Sequence, residues 1–212
     1  MTDPFPSLEA KAAYDAVAAQ YAELFSDSLR TRPLERALLA AFAELVLAGD
    51  SGPVGDIGCG PGHVTAYLKA LGPDTFGIDL SAEMVALARR AHPDLKFDEG
   101  DMTALDLPDA SLSGILALYS VIHTPPPRLP AVFAEFHRVL ARGGHLLLGF
   151  FACDDPVPQG FDHKVLLAYR WSPDTLADLL RRAGLVEVAR LLREPHDGER
   201  FQQGHLLVRK RS

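Results

Sequence analysis

Three carboxylates and a run of alternating glycines carry the chemistry this sequence can do. Val54-Gly55-Asp56-Ile57-Gly58-Cys59-Gly60-Pro61-Gly62-His63 passes from an apolar stretch through a glycine turn into a helical pattern. Glycine lets a backbone turn sharply and lets a ligand approach it, and the unpaired N–H groups that open the next helix favour a negative ligand group. A nucleotide-like ligand is expected. A dinucleotide fingerprint would read Gly-x-Gly-x-x-Gly and set a pyrophosphate against the loop, but His63 stands two after Pro61 and Asp56 precedes the first glycine. A carboxylate there repels pyrophosphate and suits an ammonium or sulfonium group. No Gly-Lys-Ser/Thr follows, which excludes a Walker loop.

The second signal is Gly77-Ile78-Asp79-Leu80-Ser81, where Asp79 closes an apolar run at the spacing from which a carboxylate accepts from both ribose hydroxyls. The third is Glu99-Gly100-Asp101-Met102, in which Asp101 can accept from an exocyclic amine and Met102 can pack on an adenine face. Capping of loops and turns is the ordinary role of Asp. Three such residues after three successive strands trace one ligand instead.

Those strands are short apolar runs at 54–57, 75–78, 95–98, 113–119 and 145–151, the pattern of parallel strands buried on both faces. Helical stretches at 64–71, 82–91 and 129–141 alternate with them. This predicts a doubly wound parallel sheet with helices on both faces and ligands outside the carboxyl ends of the strands. Ahead of it stand an amphipathic helix at 8–25, with Ser7 placed to cap it, and a second helix at about 33–48. Behind it, 173–183 is helical, and 185–192 and 205–208 form a closing antiparallel pair around Pro195-His196-Asp197-Gly198.

The 212 residues, 48% hydrophobic, can bury a core without staples, and no repeat or linker divides them. A net charge of −7 disfavours nucleic acid and anionic membranes as partners. The apolar stretches 37–47 and 112–122 fall short of the roughly 20 residues of a membrane span. The opening Met1-Thr2-Asp3-Pro4-Phe5-Pro6 is unlike a signal peptide, so the cytoplasm is the expected compartment. Cys59 and Cys153 form neither a disulfide framework nor a zinc motif.

The ordered set resembles a class I S-adenosylmethionine-dependent methyltransferase of the small ubiquinone/menaquinone-biosynthesis-like kind, over nearly the whole chain. Asp56-x-Gly58-x-Gly60-x-Gly62 is similar to the family's first motif, Asp79 to its second-strand acid and Gly100-Asp101-Met102 to its adenine contact. The segment 109–120 resembles the motif entering the fourth strand, and His137-Arg138-Val139-Leu140-Ala141-Arg142-Gly143-Gly144 the entry to the fifth. The stretch from Tyr14 to Tyr21 resembles the helix that covers the cofactor.

The resemblance implies one Rossmann-like domain with a seven-stranded, mostly parallel sheet, an antiparallel edge strand and two N-terminal capping helices. Residues 1–50 would be the cap, 51–153 the cofactor core, and 154–212 the acceptor-side insertion and closing strands. The cofactor would be S-adenosylmethionine, with S-adenosylhomocysteine as product and a small molecule as acceptor. Its implied contacts are Tyr14, Tyr21, Asp56, Gly58, Cys59, Gly60, Gly62, His63, Asp79, Leu80, Met84, Gly100, Asp101, Met102, Leu118, Tyr119 and Ser120. A nicotinamide-dependent oxidoreductase and a non-catalytic cofactor-binding module are the alternatives.

His123, just past the fourth strand, is the candidate catalytic group, since imidazole titrates near the working pH. Positioning alone serves an acceptor that is already ionised or is a neutral amine, so a shape or cofactor-contact role stands beside it. Thr124-Pro125-Pro126-Pro127 reads as a rigid loop. Asp154 and Asp155 read as solvated loop carboxylates, and no metal is expected. Phe161, His163, Tyr169, Arg170 and Trp171 fall where such enzymes build an acceptor pocket, and Arg200-Phe201-Gln202-Gln203 is expected as an exposed hairpin. No residue selects O-, N-, C- or S-methylation.

Overall fold

The computed structural model describes residues 5–25, 28–49 and 52–211. Helices α1 (Phe5–Phe25) and α2 (Pro33–Leu47) precede an alternating series: β1 (Val54–Ile57), α3 (His63–Ala70), β2 (Thr75–Asp79), α4 (Ala82–Ala91), β3 (Phe97–Glu99) and β4 (Leu112–Leu118). Then follow α5 (Leu129–Val139), β5 (Leu140–Ala152), β6 (Gln159–Asp162), β7 (Leu167–Trp171), α6 (Pro173–Arg182), β8 (Leu185–Arg193) and β9 (Gln203–Lys210). The first five strands pair in parallel in the order β3-β2-β1-β4-β5, and β9 runs antiparallel between β5 and β8. The order reverses between β1 and β4, which leaves a crevice at their carboxyl ends.

The strands are continuous apolar runs because both faces are covered. On one face Ile57, Ile115, Leu146 and Leu148 pack with Phe133, Phe136 and Val139 of α5 and Leu176 and Leu180 of α6. On the other, Val54, Leu116, Leu147 and Leu207 meet Leu39, Phe42, Ala43 and Val46 of α2 and Leu68 of α3. The alternation of residues 115 and 116, or 146 and 147, between the two clusters is the strand period of two. A buried ion pair, Arg193 Nε to Glu35 Oε1 at 2.9 Å, ties α2 to the far edge of the sheet.

Among the described residues the sheet has nine strands, where seven were expected. The additional pair is the β6–β7 hairpin. Strand β4 last pairs with β5 at Gly149, and beyond that point Phe151 and Ala152 pair with Arg170 and Trp171 of β7. The backbone left open by the end of β4 is thereby satisfied. Trp171, expected near a pocket, is instead buried in the main core. The expected N-cap Ser7 lies inside α1, which begins two residues earlier, at Phe5. The closing antiparallel pair is present as β8 and β9. Among the described residues no helix is long and apolar enough to cross a membrane.

Phe136 is fully buried between α5 and the sheet, so Phe136→Ala should lower unfolding stability by about 3–5 kcal/mol in urea denaturation. A loss below about 1 kcal/mol would show that the α5 face is not the central packing contact.

Candidate active site

The glycine loop is built around close contacts. Gly58 has φ +81°, and a Cβ there would stand 2.2 Å from that of Ser120, so only glycine lets the ends of β1 and β4 meet. The Gly58 and Cys59 N–H groups both donate to the Ile78 carbonyl, at 2.7 and 3.1 Å, which folds the loop onto β2. Gly60 N–H then donates to Asp79 Oδ2 at 2.7 Å, while Ser81 N–H donates to Asp79 Oδ1 at 2.9 Å. Burial raises the Asp79 pKa, and the N–H groups of Ser81, Gly60 and Leu80 oppose it. Each Asp79 oxygen keeps acceptor capacity for a further donor. Over Gly60 an added Cβ would meet nothing nearer than Tyr21 Cε1 at 3.9 Å, so the backbone there is open to an approaching ligand.

Helix α1 roofs this loop through polar links. Lys11 Nζ donates to Leu80 O at 3.1 Å and pairs with Glu99, and the Ser81 hydroxyl donates to Asp15 Oδ1 at 2.5 Å. Below α1 lies a cavity. Tyr14 and Tyr21 line it from above, Gly58, Gly60, Asp79 and Leu80 from the first two strand ends, and Met84 from α4. Gly100, Asp101 and Met102 line it after β3, and Leu118, Tyr119, Ser120 and His123 at and beyond the end of β4. Asp101 Oδ1 accepts from the Thr103 N–H and hydroxyl at 2.8 and 2.7 Å, a turn contact that fixes the carboxyl at the rim. Ala10, Ile57, Thr103 and Arg128, together with Thr124 and Pro125 of the rigid loop, also line the cavity and were not expected as contacts. The loop signal of 124–127 was visible, but its direction is set by the turn closed by the Thr124 N–H on the Val121 carbonyl at 3.0 Å.

Four expected contacts stand off the lining. Asp56 points under the loop, where Oδ2 accepts from the Thr65 hydroxyl at 2.6 Å. Cys59 packs with Val85, Ala88 and Phe97, and Gly62 backs onto Phe97, whose ring would lie 2.7 Å from an added Cβ. His63 opens α3 and is half-buried away from the cavity, its pKa pushed down to about 4 by burial. For Asp56 the strand pleat, and for His63 the first helical turn, directs the side chain away from the cavity.

At the β4 end, His123 Nδ1 stands 2.8 Å from the Leu167 carbonyl and Nε2 stands 2.9 Å from the Tyr14 hydroxyl. Burial lowers the His123 pKa, with the Leu167 carbonyl opposing, and burial raises that of Tyr14. His163 stacks edge-on to His123 at 5.2 Å between ring centres. Behind it Phe151, Phe161 and Phe201 form an aromatic wall, with Phe161 and Phe201 centred 4.7 Å apart. Residues 200–202 lie in the connection of the β8–β9 hairpin, where Arg200 is exposed as expected and Phe201 turns back onto this wall. Arg200 Nη1 donates to Asp162 O at 3.0 Å, and the Arg170 guanidinium lies 4.3 Å from the Phe201 ring centre. Tyr169 meets the site through its backbone N–H, which donates to Ile122 O at 2.8 Å. Asp154 and Asp155 are exposed, and no group of three metal-ligating side chains occurs among the described residues.

Complete burial pushes the Asp56 carboxyl up to about 7, with the Thr65 hydroxyl holding it lower than burial alone would. An unfolded Asp titrates near about 4, so between about pH 4 and 7 the folded chain holds a proton that the unfolded chain lacks. Stability from this group therefore falls as pH rises through that window. Thermal melts of Asp56→Asn should match the parent near pH 4 and exceed it at pH 8; an unchanged pH slope would contradict the burial of a carboxylate.

Residues 54–144 match the family described as a methyltransferase domain. Over 131 residues the chain is 38% identical to trans-aconitate 2-methyltransferase of Rhizobium meliloti (strain 1021), covering 61% of this chain and 47% of that protein. It is 31% identical over 139 residues to demethylmenaquinone methyltransferase of Beutenbergia cavernae, covering 66% and 56%. The chain spans about half the length of these curated relatives. The crystal structure of Burkholderia thailandensis 1,6-didemethyltoxoflavin-N1-methyltransferase, with bound 1,6-didemethyltoxoflavin and S-adenosylhomocysteine, is similar over 100% of this chain and 92% of that one, with a TM-score of 0.79 and 23% identity. Residues 54–144 are thus similar to a methyltransferase-domain family, and the described chain has the α/β fold of the methyltransferase structure it resembles.

Proposed function

We propose that this chain binds S-adenosylmethionine in the cavity under α1 and transfers its methyl group to a small-molecule acceptor, releasing S-adenosylhomocysteine. The observation that carries the reading is Asp79, whose carboxylate is held by Gly60 and Ser81 at the end of β2 with acceptor capacity left for the two ribose hydroxyls. The open space over Gly60 fits a ligand that lies against main chain. When bound, the cofactor supplies an electrophilic methyl on a sulfonium. The chain's own work is to hold, orient and keep water away.

In this reading Gly58 and Gly60 carry the methionine end, Leu80, Met84 and Met102 flank the adenine, and Asp101 accepts from its amine. Gly100 lets the strand turn beneath the ring. Tyr14 and Tyr21 close the roof, and Leu118, Tyr119 and Ser120 face the reacting end. Asp56, Cys59, Gly62 and His63 act behind the loop and shape it. Residues 1–50 serve as cap, 51–153 as cofactor core, and 154–212 as acceptor side.

The acceptors named for the similar proteins, an aconitate, a demethylmenaquinone and a didemethyltoxoflavin, support a small molecule here. A net charge of −7 is unfavourable for nucleic acid, and a cytoplasmic setting suits such chemistry. None of these three proteins is named for nicotinamide chemistry or for a non-catalytic role.

Calorimetric titration tests the assignment. S-adenosylhomocysteine should bind the parent while NAD gives no heat, and Asp79→Ala should weaken S-adenosylhomocysteine about 10- to 100-fold through lost charge-assisted hydrogen bonds. Equal affinity in the variant would remove Asp79 from the ribose contact.

A further inference from the structure

Tyr14 and His123 line the cavity together, and their hydrogen bonds fix where their protons reside. The Leu167 carbonyl can only accept, so the His123 proton is on Nδ1, and Nε2, with its lone pair, accepts from the Tyr14 hydroxyl. The imidazole is neutral and the phenol un-ionised at neutral pH. The titratable groups facing the pair are Tyr21 from the same helix, Asp79 from β2 and His163 after β6. His163 is itself kept neutral, its pKa pushed down to about 4 by burial. The one acceptor atom the pair leaves for a ligand is therefore Tyr14 Oη.

We propose that Tyr14 Oη takes a proton from the acceptor while passing its own to His123 Nε2, so that the acceptor is an un-ionised X–H molecule: a phenol, an enol or a ring N–H. This rests on reading the cavity as a methyl-transfer site. The X–H bond breaks and its electron pair forms the bond to the methyl carbon, and the electron pair of the broken C–S bond stays on sulfur. The acceptor's proton goes to Tyr14 Oη, and the former Tyr14 proton goes to His123 Nε2. Methylated acceptor, thioether, neutral Tyr14 and an imidazolium result, and the imidazolium then loses its proton to water. One positive charge disappears at sulfur as one appears on His123, so the site's net charge is constant in a setting where new charge is costly. The Leu167 carbonyl, facing Nδ1–H, favours the imidazolium. Tyr14 is the catalytic residue here, and His123 is a positioning residue that acts through it. A carboxylate acceptor has no such proton to give. Since Arg128 also lines the cavity, carboxylates are the discriminating comparison.

The test uses tritiated-methyl S-adenosylmethionine with a panel of phenols, enols and N–H heterocycles beside di- and tricarboxylates, on the parent, Tyr14→Phe and His123→Gln. Phe keeps the ring of the roof. The expected result is transfer to an X–H acceptor whose kcat falls about 100-fold or more in both variants, with KM and S-adenosylhomocysteine affinity within about threefold of the parent. Long-range 1H–15N spectra should show the parent's His123 protonated on Nδ1 alone, with the Nε2 resonance shifting in Tyr14→Phe. Four results overturn the proposal: equal turnover in both variants, transfer to carboxylates only, a proton on Nε2 of the free protein, or no transfer to any panel member while S-adenosylhomocysteine still binds. Failure of S-adenosylhomocysteine to bind the parent would instead remove the cofactor reading on which the proposal stands.

Discussion

Everything at the ligand end of this fold depends on how closely β1 and β4 approach at Gly58. A side chain there would occupy the space of Ser120, and the loop could not then turn onto the Ile78 carbonyl or bring Gly60 N–H to Asp79. The reversal of strand order opens a crevice in any doubly wound sheet. What makes this crevice specific is that one carboxylate, Asp79, is held by the first loop and by the start of α4 at once. The cavity floor is therefore preorganised by main-chain hydrogen bonds, which cost no rearrangement when a ligand arrives.

The roof is attached by different forces. Helix α1 packs along α4, buries Ala18, and is linked by hydrogen bonds of Lys11, Tyr14 and Asp15 with Leu80, His123 and Ser81. Such links are individually worth about 1 kcal/mol, so the roof is held less firmly than the core beneath it. At the reacting end the protein keeps its groups uncharged: Tyr14, His123 and His163 are all shifted toward their neutral forms by burial. The imidazoles of His123 and His163 thus add no positive charge of their own to a cavity that Arg128 also lines.

The parallel sheet was legible because buried strands read as short apolar runs, and Asp79 because it closes such a run. The loop's inner side was not. Asp56 sits in the same motif as Gly58, yet the pleat of β1 turns it toward Thr65, and periodicity does not say which face a loop will shield. The β6–β7 hairpin escaped notice because Gln159–Asp162 is only four residues long with a single large apolar side chain, and β7 pairs with the overhang of β5. The return of Phe201 to Phe161 is a contact between distant segments with no local signature. Tyr119, with φ +55°, is a strained strand-end residue that only the folded chain reveals.

The most direct test of the central claim is a crystal structure of the protein with S-adenosylhomocysteine. The ribose hydroxyls should lie within hydrogen-bonding distance of the Asp79 carboxylate, with the adenine beside Met102 and the sulfur toward Tyr119, Ser120 and Tyr14. A nucleoside bound elsewhere, or one whose ribose makes no contact with Asp79, would contradict the account.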